Sequence, residues 1–101
     1  MPITNIITAT ITAYCACKVC CGPNAKGITA SGHTPIEGTT IAAPRTIPFG
    51  SKVIINGHTY SVQDRLSKRF PDRFDVFMSS HKRALIHGIK TNQTITIITT
   101  K

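Results

Sequence analysis

The chain contains no tryptophan, few other aromatics (6%) and only four side-chain carboxylates. No stretch is long and apolar enough to cross a membrane as a helix. Without Trp, the core of a 101-residue chain must be built from Ile, Val, Ala and a few Phe, so it can be real but modest. The length bounds the chain to one domain, residues 1–101. Scarcity of acid leaves twelve Lys and Arg largely uncompensated, at a formal charge of +8. Such a balance points to an anionic partner, either nucleic acid or an acidic polymer such as a cell wall. Nucleic-acid surfaces usually interleave aromatics with their basic residues. Here the basic residues are dispersed, apart from Lys68-Arg69 with Arg73 and the run His81-Lys82-Arg83, so nucleic acid is not the expected partner. Met1 to Tyr14 is rich in Thr and lacks a basic start, so no secretory signal is legible there.

What is abundant is Ile and Thr, and β-branched residues favour strands. Ile7 to Tyr14 alternates, with Ile7, Ala9, Ile11 and Ala13 on the inner face and Thr8, Thr10, Thr12 and Tyr14 on the other. Short strands are expected at Thr40–Ala43, Lys52–Ile55, Thr59–Asp64, Phe74–Met78 and Thr94–Thr99. Asn56-Gly57 is a strong two-residue hairpin turn. Ser79-Ser80 can cap a helix that runs to about His87 and stops at Gly88, with Ala84 and Leu85 on its inner side. Six strands and one short helix without a βαβ rhythm suit a small closed barrel, because closure removes exposed edges. A monomer is expected.

All four cysteines fall within seven residues: Cys15, Cys17, Cys20 and Cys21. Three readings compete. Four thiolates could hold zinc, although structural sites of this kind usually draw on two separated pairs. Two disulfides could staple the loop in an oxidising compartment, or the thiols could stay free in a reducing one. Disulfides in an exported protein are preferred, with zinc second, and no cofactor is expected. The following loop, residues 26–33, is punctuated by Gly and Ser, which lets a ligand or another backbone approach closely.

Three of the four carboxylates lie between positions 64 and 75. Asp64 ends a strand whose Tyr60 and Val62 should face the core, so it is expected to continue that inner face. Asp75 shares a face with Phe77 on the next strand. Two strand-borne carboxyls beside apolar groups can converge at a cleft, where burial raises a carboxyl pKa enough to make a general acid. The competing reading is structural, with both aspartates capping turns or holding Arg65 and Arg73. Asp72 is expected to pair at the surface with Arg69 or Arg73.

Three stretches together, Ala13–Gly32 (AYCACKVCCGPNAKGITASG), Thr40–Lys52 (TIAAPRTIPFGSK) and Asp64–Gly88, resemble the three-aspartate (3D) domain. These domains are similar to small double-psi β-barrels related to the C-terminal part of membrane-bound lytic transglycosylase A and to the stationary-phase survival muramidases. Barrels of the rare lipoprotein A, barwin and expansin type are more distant relatives. The resemblance implies cleavage of peptidoglycan between N-acetylmuramic acid and N-acetylglucosamine without water, leaving a 1,6-anhydro ring, in an extracytoplasmic or phage-borne setting. It implies Asp75 as the acid/base and Asp64 as its coupled partner, matched by their eleven-residue spacing. Tyr14, Thr29, Ser31, Lys68 and Arg73 are the expected substrate contacts. The chain departs from the family pattern at Ala43, where the remaining aspartate would precede Pro44, and at Leu66-Ser67, where the family has Gly-Gly. The Glu and His of the rare lipoprotein A pattern are His33 and Pro44 here. A glycan-binding barrel without turnover is therefore the alternative.

Overall fold

The structure is a computed structural model that describes residues 2–15, 29–66 and 73–100. Its elements are β1 (Pro2–Tyr14), β2 (Thr40–Ala43), β3 (Lys52–Ile55), β4 (His58–Arg65), β5 (Arg73–Phe77), α1 (His81–His87) and β6 (Lys90–Thr100). The strands close into a barrel in the order β1-β5-β2-β4-β3-β6. Two of its pairings are parallel, β1 with β5 and β2 with β4, and the others are antiparallel. The mainly β barrel with one short helix among the described residues is the architecture expected from the alternation of Ile and Thr.

The barrel interior is filled by small and β-branched side chains. Ala9, Ile11, Ile41, Ala43, Val53, Val62, Phe74, Val76, Ile95 and Ile97 form one buried cluster, with Ala13 and Tyr60 packed against it. Phe74 is the one ring in that cluster, so β-branched side chains and Ala fill most of a narrow barrel. The alternation of β1 holds from Ala9 onward, whereas Ile7 is 38% exposed. The reason is that β1 pairs with β5 only from Thr10 to Tyr14, so its earlier part, paired to β6 from Ile7↔Ile95 out to Pro2↔Thr100, forms an edge, while β6 itself stays paired to β3 at Thr96–Ile98 and keeps Ile95 and Ile97 in the core. β1 is longer at that end than its sequence pattern suggests, since residues 3–8 are exposed and no core imposes alternation on them; β6 is longer at its other end, starting at Lys90.

Asn56 (φ 50°) and Gly57 (φ 79°) take the two left-handed positions that a two-residue hairpin requires, and Ile55 pairs with His58 across them. The Ser80 hydroxyl accepts from the Arg83 amide at 3.3 Å and caps α1, and Gly88 ends it at φ 66°. Ala84 is the buried residue of α1, but Leu85 is 67% exposed rather than inward. Adjacent helical positions lie about 100° apart, and a seven-residue helix turns only a narrow stripe toward the barrel.

Candidate functional site

The site begins with a register shift. β2 and β4 pair Ile41 with Val62, but the next pair is Ala42 with Asp64. Gln63 is therefore an extra residue on β4, a bulge, and it turns Asp64 off the inward face that Val62 occupies. Asp64 does not continue the core face, contrary to the expectation from alternation. It shares the outer face with Ala42, which is buried but lies outside the core cluster. On the other side of β2, Ala42 pairs with Asp75 of β5, and Asp75 pairs in turn with Thr12 of β1. One row thus crosses four strands: Asp64, Ala42, Asp75, Thr12. The two aspartates are separated by a single strand, which puts their Cα atoms roughly 10 Å apart. Ala42, the residue between them, has too small a side chain to fill the space.

The bulge is held in place by the loop after the cysteine segment. The Gln63 carbonyl accepts the Ser31 amide at 3.2 Å and the Ser31 hydroxyl at 2.7 Å. The Gln63 side-chain oxygen accepts the Thr40 hydroxyl at 2.8 Å. With the loop docked there, the Ala30 amide donates to Asp64 Oδ1 at 2.9 Å, as does the Arg65 amide at 2.9 Å, and the Tyr14 hydroxyl donates to Asp64 Oδ2 at 2.9 Å. Asp64 is thereby fixed by three donors, two of them backbone.

Asp75 is placed differently. Its Oδ1 is shielded from solvent and has no hydrogen-bond partner among the described residues, and the neighbouring Thr12 hydroxyl is in the same condition. A buried carboxyl lacking donors favours its neutral form. Burial pushes the Asp75 pKa up to about 6; the Arg73 charge opposes this and the Asp64 charge adds to it. A carboxyl of that kind is protonated in a useful fraction of molecules just below neutrality and can give or take a proton there.

Of the expected substrate contacts, Tyr14 stands on the same outer face, its ring edge-on to Phe77 with centroids 5.5 Å apart. Arg73 is close enough to bear on Asp75 electrostatically. Ser31 is beside Asp64 through the docked loop, with His33 Nδ1 2.7 Å from its hydroxyl. Thr29 is buried and accepts the His33 amide at 3.1 Å, so its hydroxyl is engaged within the loop. Lys68, Asp72, Cys17, Cys20 and Cys21 lie outside the described residues. Cys15 is buried at the end of β1, its Sγ 3.5 Å from His81 Nδ1. Among the described residues no group of three or more His, Cys, Asp or Glu is placed to hold a metal ion. Thr12, Ala30 and Gln63 were not singled out as site residues. Thr12 belongs to the same alternating set as Tyr14 and could have been found there, whereas nothing in the sequence marks the bulge.

A separate half-open cavity of about 310 Å³ occupies one mouth of the barrel, with Ile11, Tyr60, Met78, His87 and Lys90 among its lining residues; neither aspartate lines it.

Fold and site together define a small closed β-barrel carrying a coupled pair of aspartates on its outer face. No family model matches the chain. It is 33% identical over 89 residues to the putative cell wall shaping protein YabE of Bacillus subtilis (strain 168), and the matched stretch covers 86% of this chain. The chain spans about a fifth of that relative's length (22%).

Proposed function

We propose that the chain is a cell-wall module that cleaves peptidoglycan as a lytic transglycosylase, with Asp75 as acid and base and Asp64 as its coupled partner. The observation that carries this reading is the contrast in one row of side chains. Asp75 is half-buried, with one shielded oxygen that has no partner among the described residues and a pKa pushed up to about 6, while Asp64 is held by three donors. In the first step, protonated Asp75 gives its proton to the glycosidic oxygen as the bond from C1 of N-acetylmuramic acid breaks. In the second, the Asp75 carboxylate takes the proton of the C6 hydroxyl, whose oxygen closes on C1. No water is consumed, and the proton balance returns Asp75 to its starting state. The Asp64 charge favours the protonated form of Asp75 before the first step and the cationic sugar during it.

The similarity to a protein named for cell wall shaping supports a wall substrate and an extracytoplasmic location. The net charge of +8 suits an anionic wall. A disulfide-bonded Cys15 supports the preference for disulfides over zinc in the cysteine cluster, and with it an oxidising compartment. Peptidoglycan glycan strands are the partner.

A second reading, a glycan-binding barrel without turnover, is favoured by one observation. The position at which 3D domains carry their remaining aspartate is Ala43, which is fully buried in the core cluster. Incubation with peptidoglycan sacculi and mass spectrometry of the soluble products separates the two. Muropeptides lighter by one water than hydrolysis products, absent with Asp75→Asn, are the expected result. Sacculi that retain the protein but release nothing would leave the binding reading.

A further inference from the structure

Next to Asp64 the chain builds a second feature that the acid/base chemistry does not use. The guanidinium of Arg65 lies flat over the Phe49 ring, 3.8 Å from its centroid. Phe49 itself is 44% exposed, so part of it remains open to a ligand. The segment that carries it is anchored at several points. The Ile47 amide donates to Pro44 O at 3.0 Å and the Ser51 amide to Pro48 O at 3.2 Å. The Gly50 amide donates to Val62 O at 3.0 Å and the Leu66 amide to Ala43 O at 3.2 Å. This turn also carries exposed Arg45; burial, helped by the like charge of Arg45, holds the Arg65 pKa below its ordinary value. The two cations are poorly compensated. The ion pair formed among the described residues joins Arg83 and Glu37, well away along the chain. Asp64, the carboxylate that does act on Arg65, has its oxygens taken by Tyr14, Ala30 and the Arg65 backbone amide. Among the described residues Arg65 Nη1 is shielded from solvent and has no acceptor, while the side chain as a whole stays partly exposed. A guanidinium short of an acceptor, stacked on a partly open ring and crowded by a second cation, is a receptor waiting for a planar or tetrahedral anion.

We propose that Arg65, with Phe49 beneath it and Arg45 beside it, is an anion subsite that selects sugars carrying a carboxylate or phosphate substituent and seats them beside Asp64. The inference rests on the wall-glycan reading and specifies which units of the glycan enter. A neutral sugar gains only the ring contact. An acidic one also pairs with the partly exposed guanidinium and relieves the repulsion between Arg65 and Arg45.

The test is binding to the full chain, followed by amide chemical shifts and titration calorimetry, with N-acetylmuramic acid, N-acetylglucosamine and inorganic phosphate as probes. The expected result is that N-acetylmuramic acid binds about tenfold more tightly than N-acetylglucosamine and shifts residues 45, 49 and 65. Arg65→Gln should abolish that preference, Arg65→Lys should keep part of it, and Arg45→Gln should reduce it. Competition by phosphate shows that the subsite accepts tetrahedral anions as well; absence of competition assigns it to carboxylates alone. Equal affinity for the two sugars in the unaltered chain overturns the proposal. A preference that survives in a folded Arg65→Gln variant, verified by its amide spectrum, overturns it as well. Failure of the wall reading is distinct, because the protein would then neither bind nor cut sacculi whatever its preference among the free probes.

Discussion

Two carboxyls in this small barrel show opposite solutions to the same chemistry. Glu37 stands at the surface in the turn before β2. It accepts both guanidinium nitrogens of Arg83, the nearer at 2.5 Å, together with the Ser79 amide at 2.8 Å and hydroxyl at 3.1 Å. The Arg83 hydrogen bonds, then the Ser79 amide, hold its pKa down at about 2. Asp75 lies on the outer face of β5 with an oxygen that no group among the described residues donates to, and burial holds its pKa up at about 6. One group ties the start of α1 to the barrel and does not change state near neutrality. The other is kept poorly solvated and changes state where chemistry needs it to. The lesson is that donors, more than exposure alone, separate a structural carboxylate from a reactive one.

That contrast can be broken first at Asp75. Replacing it with Asn should reduce release of anhydro-muropeptides from sacculi by about a hundredfold or more, while thermal unfolding at pH 7 shows equal or higher stability. Loss of both activity and stability would mean that Asp75 is structural after all. The next largest effect is on the pH dependence of folding, where the two groups have opposite signs. The Asp75 pKa is raised from 3.8 to about 6, so the folded chain binds that proton more tightly than the unfolded one. Stability from this group is therefore full below pH 4 and declines as pH rises to about 6, by roughly 2–3 kcal/mol. Glu37 is lowered from 4.5 to about 2, so its contribution is present above pH 4.5 and is lost as pH falls toward 2. Urea unfolding from pH 3 to 7 should show Asp75→Asn removing the decline between pH 4 and 6, and Glu37→Gln leaving it untouched.

Smaller still is Tyr14→Phe, which removes one of three donors to Asp64 and should cost about 1 kcal/mol in urea unfolding. If Asp64 acts on Asp75 by charge alone, the pH dependence of product release should keep its shape in this variant. The least effect is expected from Glu37→Gln, whose partners are exposed. A small drop in melting temperature with unchanged products would confirm that this carboxylate works only as a tie.

The barrel was legible because alternation survives wherever a strand meets the core. Ile11 and Val62 are placed inward by period-two reasoning, and the Asn56-Gly57 turn by its need for positive φ. The row of aspartates was legible as residues but not as geometry. Period-two counting carries Asp64 inward, and only pairing with β2 reveals that Gln63 shifts the register. The forces that hold the shift come from Ser31 and Ala30, more than thirty positions away, and no local pattern encodes them. The start of β1, ahead of Ile7, is illegible for the opposite reason. With no core beneath it, exposed Ile3 and Ile6 leave no periodic trace.

The pairing of the start of β1 with the end of β6 sets how the domain bears mechanical load. Pro2 and Thr100 are cross-strand partners, so a pull on the two ends separates β1 from β6 like a zipper. Each backbone pair then breaks in turn at low force, instead of many sharing the load. The peeling continues until it reaches the barrel, where β1 also pairs in parallel with β5 from Thr10 to Tyr14. There the geometry changes, and tension along β1 shears several pairs at once. Stretched from its ends, the molecule therefore yields in two regimes, a compliant leader followed by a stiff core, and the row that contains Asp64 and Asp75 lies within the stiff part.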